Sequence, residues 1–218
     1  IRRMMIEWGM YERRRKRKTH RSWRERKEHV GEMIQMDGSF HKWFEGTKEE
    51  QCLLVMIDDA TSVRMARMYS GETTIGAMEL LGKWIERYGI PKSVYADRKN
   101  VYVLDEKTEE RLKERGEEAL TQFGNVCSKL GIEIMRAYSP QAKGRVERAN
   151  LVFQDRLIKR LKLEGIKDIG EANKYLEEGY LDILNDKFSR KAKSEVDYHR
   201  ERPSKEEMET ILAIEEER

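Results

Sequence analysis

The chain has 218 residues, 38% of them apolar and 39% charged, and a net charge of only +3. That composition supports one polar globular core and offers no apolar run near the ~18 residues a membrane span needs. Cys52 and Cys127 lie far apart and in no C-x-x-C spacing, which argues against a cysteine zinc site or a disulfide framework and fits a reducing cytoplasm.

The small net charge hides an asymmetry. Residues 1–30 hold twelve Lys/Arg against four Glu, a net +8, while the remainder carries −5. The opening "IRRMMIEWGM" reads like the end of a helix that begins earlier, so the chain is expected to be part of a longer protein. "YERRRKRKTHRSWRERKEH" follows with no apolar period, as an exposed basic arm. Arg13, Arg14, Arg15, Lys16, Arg17 and Lys18 are its candidate phosphate contacts.

From residue 31 the pattern becomes regular. "GEMIQMDGSFHKWF" alternates, with Gln35, Asp37, Ser39 and His41 on one side, and predicts a first strand. "CLLVMIDD" predicts a buried second strand ending in acids, and "VRMARMYS" a third. Thr73 is a plausible N-cap for a helix through "TIGAMELLGKWIERYG", which Gly89 and Pro91 stop. "KSVYAD" is a short fourth strand. Residues 98–118 are mostly charged and read as an exposed insertion. "EALTQFGNVCSKLG" is an amphipathic helix closed by Gly131, and "IEIMRAY" a fifth strand. A long helix runs from Pro140 through "GRVERANLVFQDRLIKRLKLEG", another through "IGEANKYLEEGYLDILNDKF", and a last around "KEEMETILAIEEER".

Three strands joined by short turns demand an antiparallel meander. The strands that alternate with helices demand parallel crossovers. The expectation is an α/β fold: a five-stranded mixed sheet with helices on both faces. Three domains are expected: an arm over 1–30, a core over 31–165 that contains the 98–118 insertion, and C-terminal helices and linker over 166–218.

Three carboxylates stand out by position: Asp37 in the first strand, Asp97 at the end of the fourth, and Glu147 near the start of the long helix. First and fourth strands are expected neighbours, so the two aspartates could meet. Three acids converging without His or Cys make a hard oxygen site for Mg²⁺ or Mn²⁺. Each acid alone reads more simply as a cap or turn residue; their combination favours a site. Asp58 and Asp59 could support the site from behind but read better as turn residues, His41 reads as structural, and Trp23 and Trp43 as packing groups rather than base-stacking ones.

"IQMDGSF", "MIDDATS", "VYAD" and "YSPQAKGRVERAN" resemble the catalytic core of DDE transposases and retroviral integrases, most closely bacterial insertion-sequence transposases with an integrase-type core. The resemblance spans about residues 32–165. Asp97 and Glu147 are fifty positions apart, wider than usual in the family, and the charged insertion accounts for the excess. The resemblance implies an RNase H-like fold, with Asp37, Asp97 and Glu147 as catalytic metal ligands for two ions. It implies DNA cleavage at transposon ends and 3′-hydroxyl strand transfer into a target, by a dimer or higher multimer on paired ends. Residues matching Gln141, Lys143, Asn150 and Gln154 would contact DNA, and Arg145 beside Glu147 is added to them. On a helix, positions 143, 147, 150 and 154 share one face. The arm would be the linker from an N-terminal DNA-recognition domain. Two alternatives stand beside this reading: a nuclease without strand transfer, and a DNA-binding relative without activity.

Overall fold

The computed structural model describes residues 25–97, 101, 102, 108, 110, 111, 114, 120–136 and 144–213. Five strands, β1 (Ile34–His41), β2 (Gln51–Asp58), β3 (Arg64–Tyr69), β4 (Ser93–Ala96) and β5 (Glu133–Arg136), form one sheet in the order β3-β2-β1-β4-β5. β1, β2 and β3 pair antiparallel, and β4 joins β1, and β5 joins β4, in parallel. This is the mixed sheet expected from the turn lengths.

Among the described residues six α-helices accompany the sheet: α1 (Thr74–Tyr88), α2 (Gln122–Lys129), α3 (Gly144–Leu163), α4 (Ile169–Tyr175), α5 (Leu181–Phe188) and α6 (Lys205–Leu212). Thr73 caps α1 by accepting from the Gly76 amide, and Gly89 ends it at φ +100°, a region that favours glycine. The run from 169 to 188, read as one helix, is broken. Glu178 and Gly179 leave helical geometry, and Gly179 takes φ +124° inside a wide turn over Leu176–Tyr180. The spacing of the apolar residues survives the break, which is why periodicity alone did not show it.

Every residue of β2 is buried, because helices cover both faces of the sheet. One face of β1 presents Gln35, Asp37 and Ser39 to α3, whose first turns bond to all three. The opposite face looks toward α1, where a Cβ on Gly38 would meet the Glu72 carboxyl at 2.8 Å and Cys52 Sγ at 3.0 Å. Leu157 and Leu161 of α3, Ala172 of α4, Leu176, and Leu181 and Leu184 of α5 belong to the same apolar cluster as the strands.

The edge strand β3 is closed by side chains. Asn173 accepts from the Met68 N–H at 2.7 Å and donates to its carbonyl at 2.9 Å. Asn185 does the same at Arg64, at 2.8 and 2.9 Å. Each amide supplies the donor and acceptor a further strand would have supplied, so the edge is protected. The segment after α5 then doubles back over the start of the core. Ser194 and Tyr198 amides donate to Glu28 and Val30 carbonyls, and Ile90 and Arg200 exchange a pair of backbone bonds. His199 accepts from the Trp84 indole at 3.1 Å, and its ring fills the space a Cβ on Gly31 would need.

Candidate active site

β1 and β4 are parallel with Ile34 opposite Val94 and Gln35 opposite Tyr95. That pairing ends two residues short of Asp37 and Asp97, and Asp97 directly follows the last residue of β4. Asn150 of α3 donates from Nδ2 to Asp37 Oδ2 at 3.1 Å. Glu147 stands three residues earlier, on the neighbouring turn of the same helix face, and is exposed. The fold therefore sets Asp37 under the helix that carries Glu147, with Asp97 just past the end of the neighbouring β4. It does not gather them: among the described residues, no three His, Cys, Asp or Glu side chains converge closely enough to hold a metal ion.

α3 is held over β1 by a ladder of polar contacts. The Val146 amide donates to Gln35 Oε1 at 3.1 Å, Asn150 to Asp37, and Gln154 Nε2 to Ser39 Oγ at 3.0 Å. The helix advances four residues per rung and the strand two, about 6 Å against about 6.6 Å, so the two periods stay in step. The period of two had put Gln35, Asp37 and Ser39 on one face of β1, but their partners lie more than a hundred residues away and left no local signal.

Asp59, at the end of β2, is fully buried and ties this helix to the sheet. Its Oδ1 accepts from Gln35 Nε2 at 2.7 Å and pairs with the Arg145 guanidinium at 2.9 Å, while Oδ2 accepts the Lys27 amide at 2.7 Å. The neighbouring Asp58 does the work expected of a turn residue, accepting from the Thr61 amide and hydroxyl and from the Gly31 amide. Burial raises the Asp58 carboxyl above its ordinary range, and the Thr61 bonds pull against that shift.

Cations collect around the same corner. Arg26 donates to the Asp59 and Ala60 carbonyls and to Ser62 Oγ. Burial lowers its pKa, and the neighbouring charges of Arg190 and Arg145 lower it further. On the opposite face of β1, buried Tyr102 donates to Glu72 Oε1 at 2.8 Å. Burial and then Glu72 push its phenol well above the usual range, so it remains a donor. The Tyr102–Glu72 pair was not picked out by the sequence motifs, whereas Asp59, inside "MIDDATS" and read there as a turn residue, instead bonds to Lys27, Gln35 and Arg145.

Of the candidate DNA contacts, Gln141, Lys143 and Arg13, Arg14, Arg15, Lys16, Arg17 and Lys18 lie outside the described residues, as do Pro140, Trp23 and most of the 98–118 insertion. Arg145, Asn150 and Gln154 are described, and each has an internal partner. His41 meets Trp43 edge to face, and Trp43 is fully buried in the core. Both cysteines are free and buried. No helix among the described residues is long and apolar enough to cross a membrane.

The donor chemistry fits a hard divalent cation. The three acids offer only carboxylate oxygens, and beside Asp37 the buried Asn150 Oδ1 has no hydrogen-bond partner among the described residues. An orphaned buried acceptor at this point marks a site whose polar partners are incomplete.

No family profile matches the chain. Over 201 residues it is 38% identical to a putative transposase, y4bF, of Sinorhizobium fredii, covering 92% of this chain and 43% of that protein. Over 198 residues it is 35% identical to the transposase for insertion sequence IS1202 of Streptococcus pneumoniae, covering 90% and 41%. The chain thus spans less than half the length of these curated relatives. Among solved structures it is similar to the simian T-cell lymphotropic virus intasome bound to a PP2A regulatory subunit, at TM-score 0.57 and 20% identity, covering 79% of this chain and 53% of that one. It is also similar to the HTLV-2 integrase catalytic core in complex with magnesium, at TM-score 0.52 and 18% identity, covering 69% and 85%. In sequence the chain is similar to a putative transposase and to an insertion-sequence transposase over less than half of their length, and its fold is the RNase H-like fold seen in retroviral integrase catalytic cores.

Proposed function

We propose that the chain is the catalytic core of a DDE-type transposase, with Asp37, Asp97 and Glu147 as its metal-binding acids. The observation that supports this reading is that Asp37 lies on β1, the parallel neighbour of the strand that Asp97 follows, and is bonded by Asn150 of the helix bearing Glu147. Its sequence relatives are named as transposases, and one fold neighbour was solved with magnesium.

When bound there, two Mg²⁺ or Mn²⁺ ions would supply activation of the attacking oxygen and charge stabilisation at the leaving one. Asp37 and Asp97 bring two carboxylates on adjacent strands, and Glu147 supplies a third from the helix. Asn150 orients Asp37 by donating to one of its oxygens. In the first step water bonds to phosphorus at the transposon end, and the bond to the 3′ oxygen breaks as that oxygen takes a proton. In the second, the freed 3′-hydroxyl attacks a target phosphate, whose own 3′ oxygen leaves. No covalent enzyme intermediate is required.

Under this reading DNA is the partner, as transposon end and as target. The arm over 1–30 and the residues Gln141, Lys143, Arg145, Asn150 and Gln154 line its path, with 31–165 as the catalytic core and 166–218 as C-terminal helices and linker. A dimer or larger multimer would hold paired ends. The test is an assay on duplexes from the DNA flanking the coding sequence, with Mn²⁺. The proposal expects nicked and then joined products, both lost in Asp37→Asn, Asp97→Asn and Glu147→Gln. Nicking that never leads to joining would favour a nuclease, and Mn²⁺-independent cutting would contradict the proposal.

A further inference from the structure

We infer that Asp59 is a positioning residue: through Gln35 and Arg145 it fixes the first turn of α3 and so sets where Glu147 stands relative to Asp37 and Asp97. This rests on the reading of those three acids as a metal site. Asp59 falls within the "MIDDATS" stretch but outside the expected metal and DNA residues; it is fully buried at the end of β2, where Lys27, Gln35 and Arg145 bond to it. Two of those groups lead to the helix. Arg145 is in the first turn of α3 and closes on Asp59 Oδ1 at 2.9 Å. Gln35 donates to the same oxygen and, with the other end of its amide, accepts the Val146 N–H at 3.1 Å. Glu147 is the next residue along.

The first amides of a helix have no partner within it, and Gln35 satisfies one of them from the sheet. α3 is thus held at its start by a side chain from β1, which is itself held by a carboxylate from β2. A buried carboxylate tolerates ionisation only when it is paired and hydrogen-bonded. Asp59 is held by a guanidinium, an amide side chain and a backbone N–H, so breaking any arm of the clamp disturbs the others. The third arm, the Lys27 amide, anchors the end of the basic segment to the same carboxylate.

Among the described residues the three acids are not gathered into a metal site, so under this inference the placement of the first turn of α3 decides whether Glu147 reaches the two aspartates. Positioning partners of metal ligands characteristically change metal affinity by about 10–100-fold when removed. A buried carboxylate used only for stability would change melting temperature and leave that affinity alone.

The test uses the full chain, with Mn²⁺ alone as the probe, titrated by electron paramagnetic resonance. Amide hydrogen exchange is read on the peptide containing Val146. Gln35→Met keeps volume and removes both bonds of the relay, and Arg145→Met removes the ion pair. Asn173→Ala, at the far edge of the sheet, is the control for general destabilisation. Gln35→Met should speed exchange at Val146 and weaken Mn²⁺ binding by about tenfold. Arg145→Met should also weaken Mn²⁺ binding by about tenfold, and Arg145→Lys should recover most of it. Asn173→Ala should lower the melting temperature with Mn²⁺ affinity unchanged. If the parent binds Mn²⁺ and Gln35→Met binds it equally well, the inference is overturned and the three-acid site stands. If the parent itself binds no Mn²⁺, the site reading fails and takes the inference with it.

Discussion

Three buried asparagines do different work in two regions of the sheet. At the β3 edge, Asn173 and Asn185 each spend both ends of the amide on one backbone residue. At β1, Asn150 spends only its donor, on Asp37, and its Oδ1 stays orphaned in the interior. The edge pair is complete and does what a further strand would do. The Asn150 contact is incomplete, and it lies beside the acids proposed to act. Among the described residues the two regions thus differ in how completely their asparagine amides are bonded.

The largest effect that separates the two regions is on chemistry. Asp97→Asn should reduce strand cleavage by about a thousandfold or more, because the groups of such a site act as a unit. It should also erase most of any Mn²⁺-dependent rise in melting temperature, since the unfolded chain cannot assemble the ligands. Melting curves with and without Mn²⁺, run beside a cleavage assay, check both. Asn150→Ala should fall next, with cleavage down by about 10–100-fold and little loss of stability, since only one bond of the amide is made.

The edge asparagines should show the reverse pattern. Asn173→Ala strands the Met68 N–H and carbonyl, and should cost about 2 kcal/mol or more, measurable by urea denaturation. Its Mn²⁺ affinity should not move. Comparable metal sensitivity in Asn173→Ala and Asn150→Ala would erase the distinction between the two regions.

The sequence made the framework legible where the physics is local. Alternation marked β1 to β3, Thr73 and Gly89 bounded α1, and the acids were visible as outliers at strand and helix ends. Contacts such as Asp59 with Gln35, or Asn185 with Arg64, were not legible, because no period links residues so distant in the chain. The break at Gly179 was an intermediate case. Its glycine was in view, but the apolar spacing ran through it, and only the backbone angle showed that the helix does not. That angle supplies a smaller prediction: Gly179→Ala, with open space around it, should still cost about 1–2 kcal/mol from φ alone.

The smallest effect concerns Asp58, which separates turn chemistry from site chemistry. Its folded pKa is raised, so between the ordinary carboxylate pKa and that raised value the folded state holds more protons than the unfolded one. Stability attributable to Asp58 should therefore fall as pH rises through that window and recover as pH is lowered. Asp58→Asn should flatten this slope in melting temperature against pH without altering the metal response.

The claim on which everything else depends is that Asp37, Asp97 and Glu147 together form one metal site. Crystals soaked in Mn²⁺ and measured at the manganese absorption edge test it most directly. The account predicts an anomalous peak between Asp37 and Asp97 on the α3 face, lost in Asp97→Asn crystals. A peak elsewhere in the protein, or none at millimolar Mn²⁺ with both aspartates ordered, would contradict it.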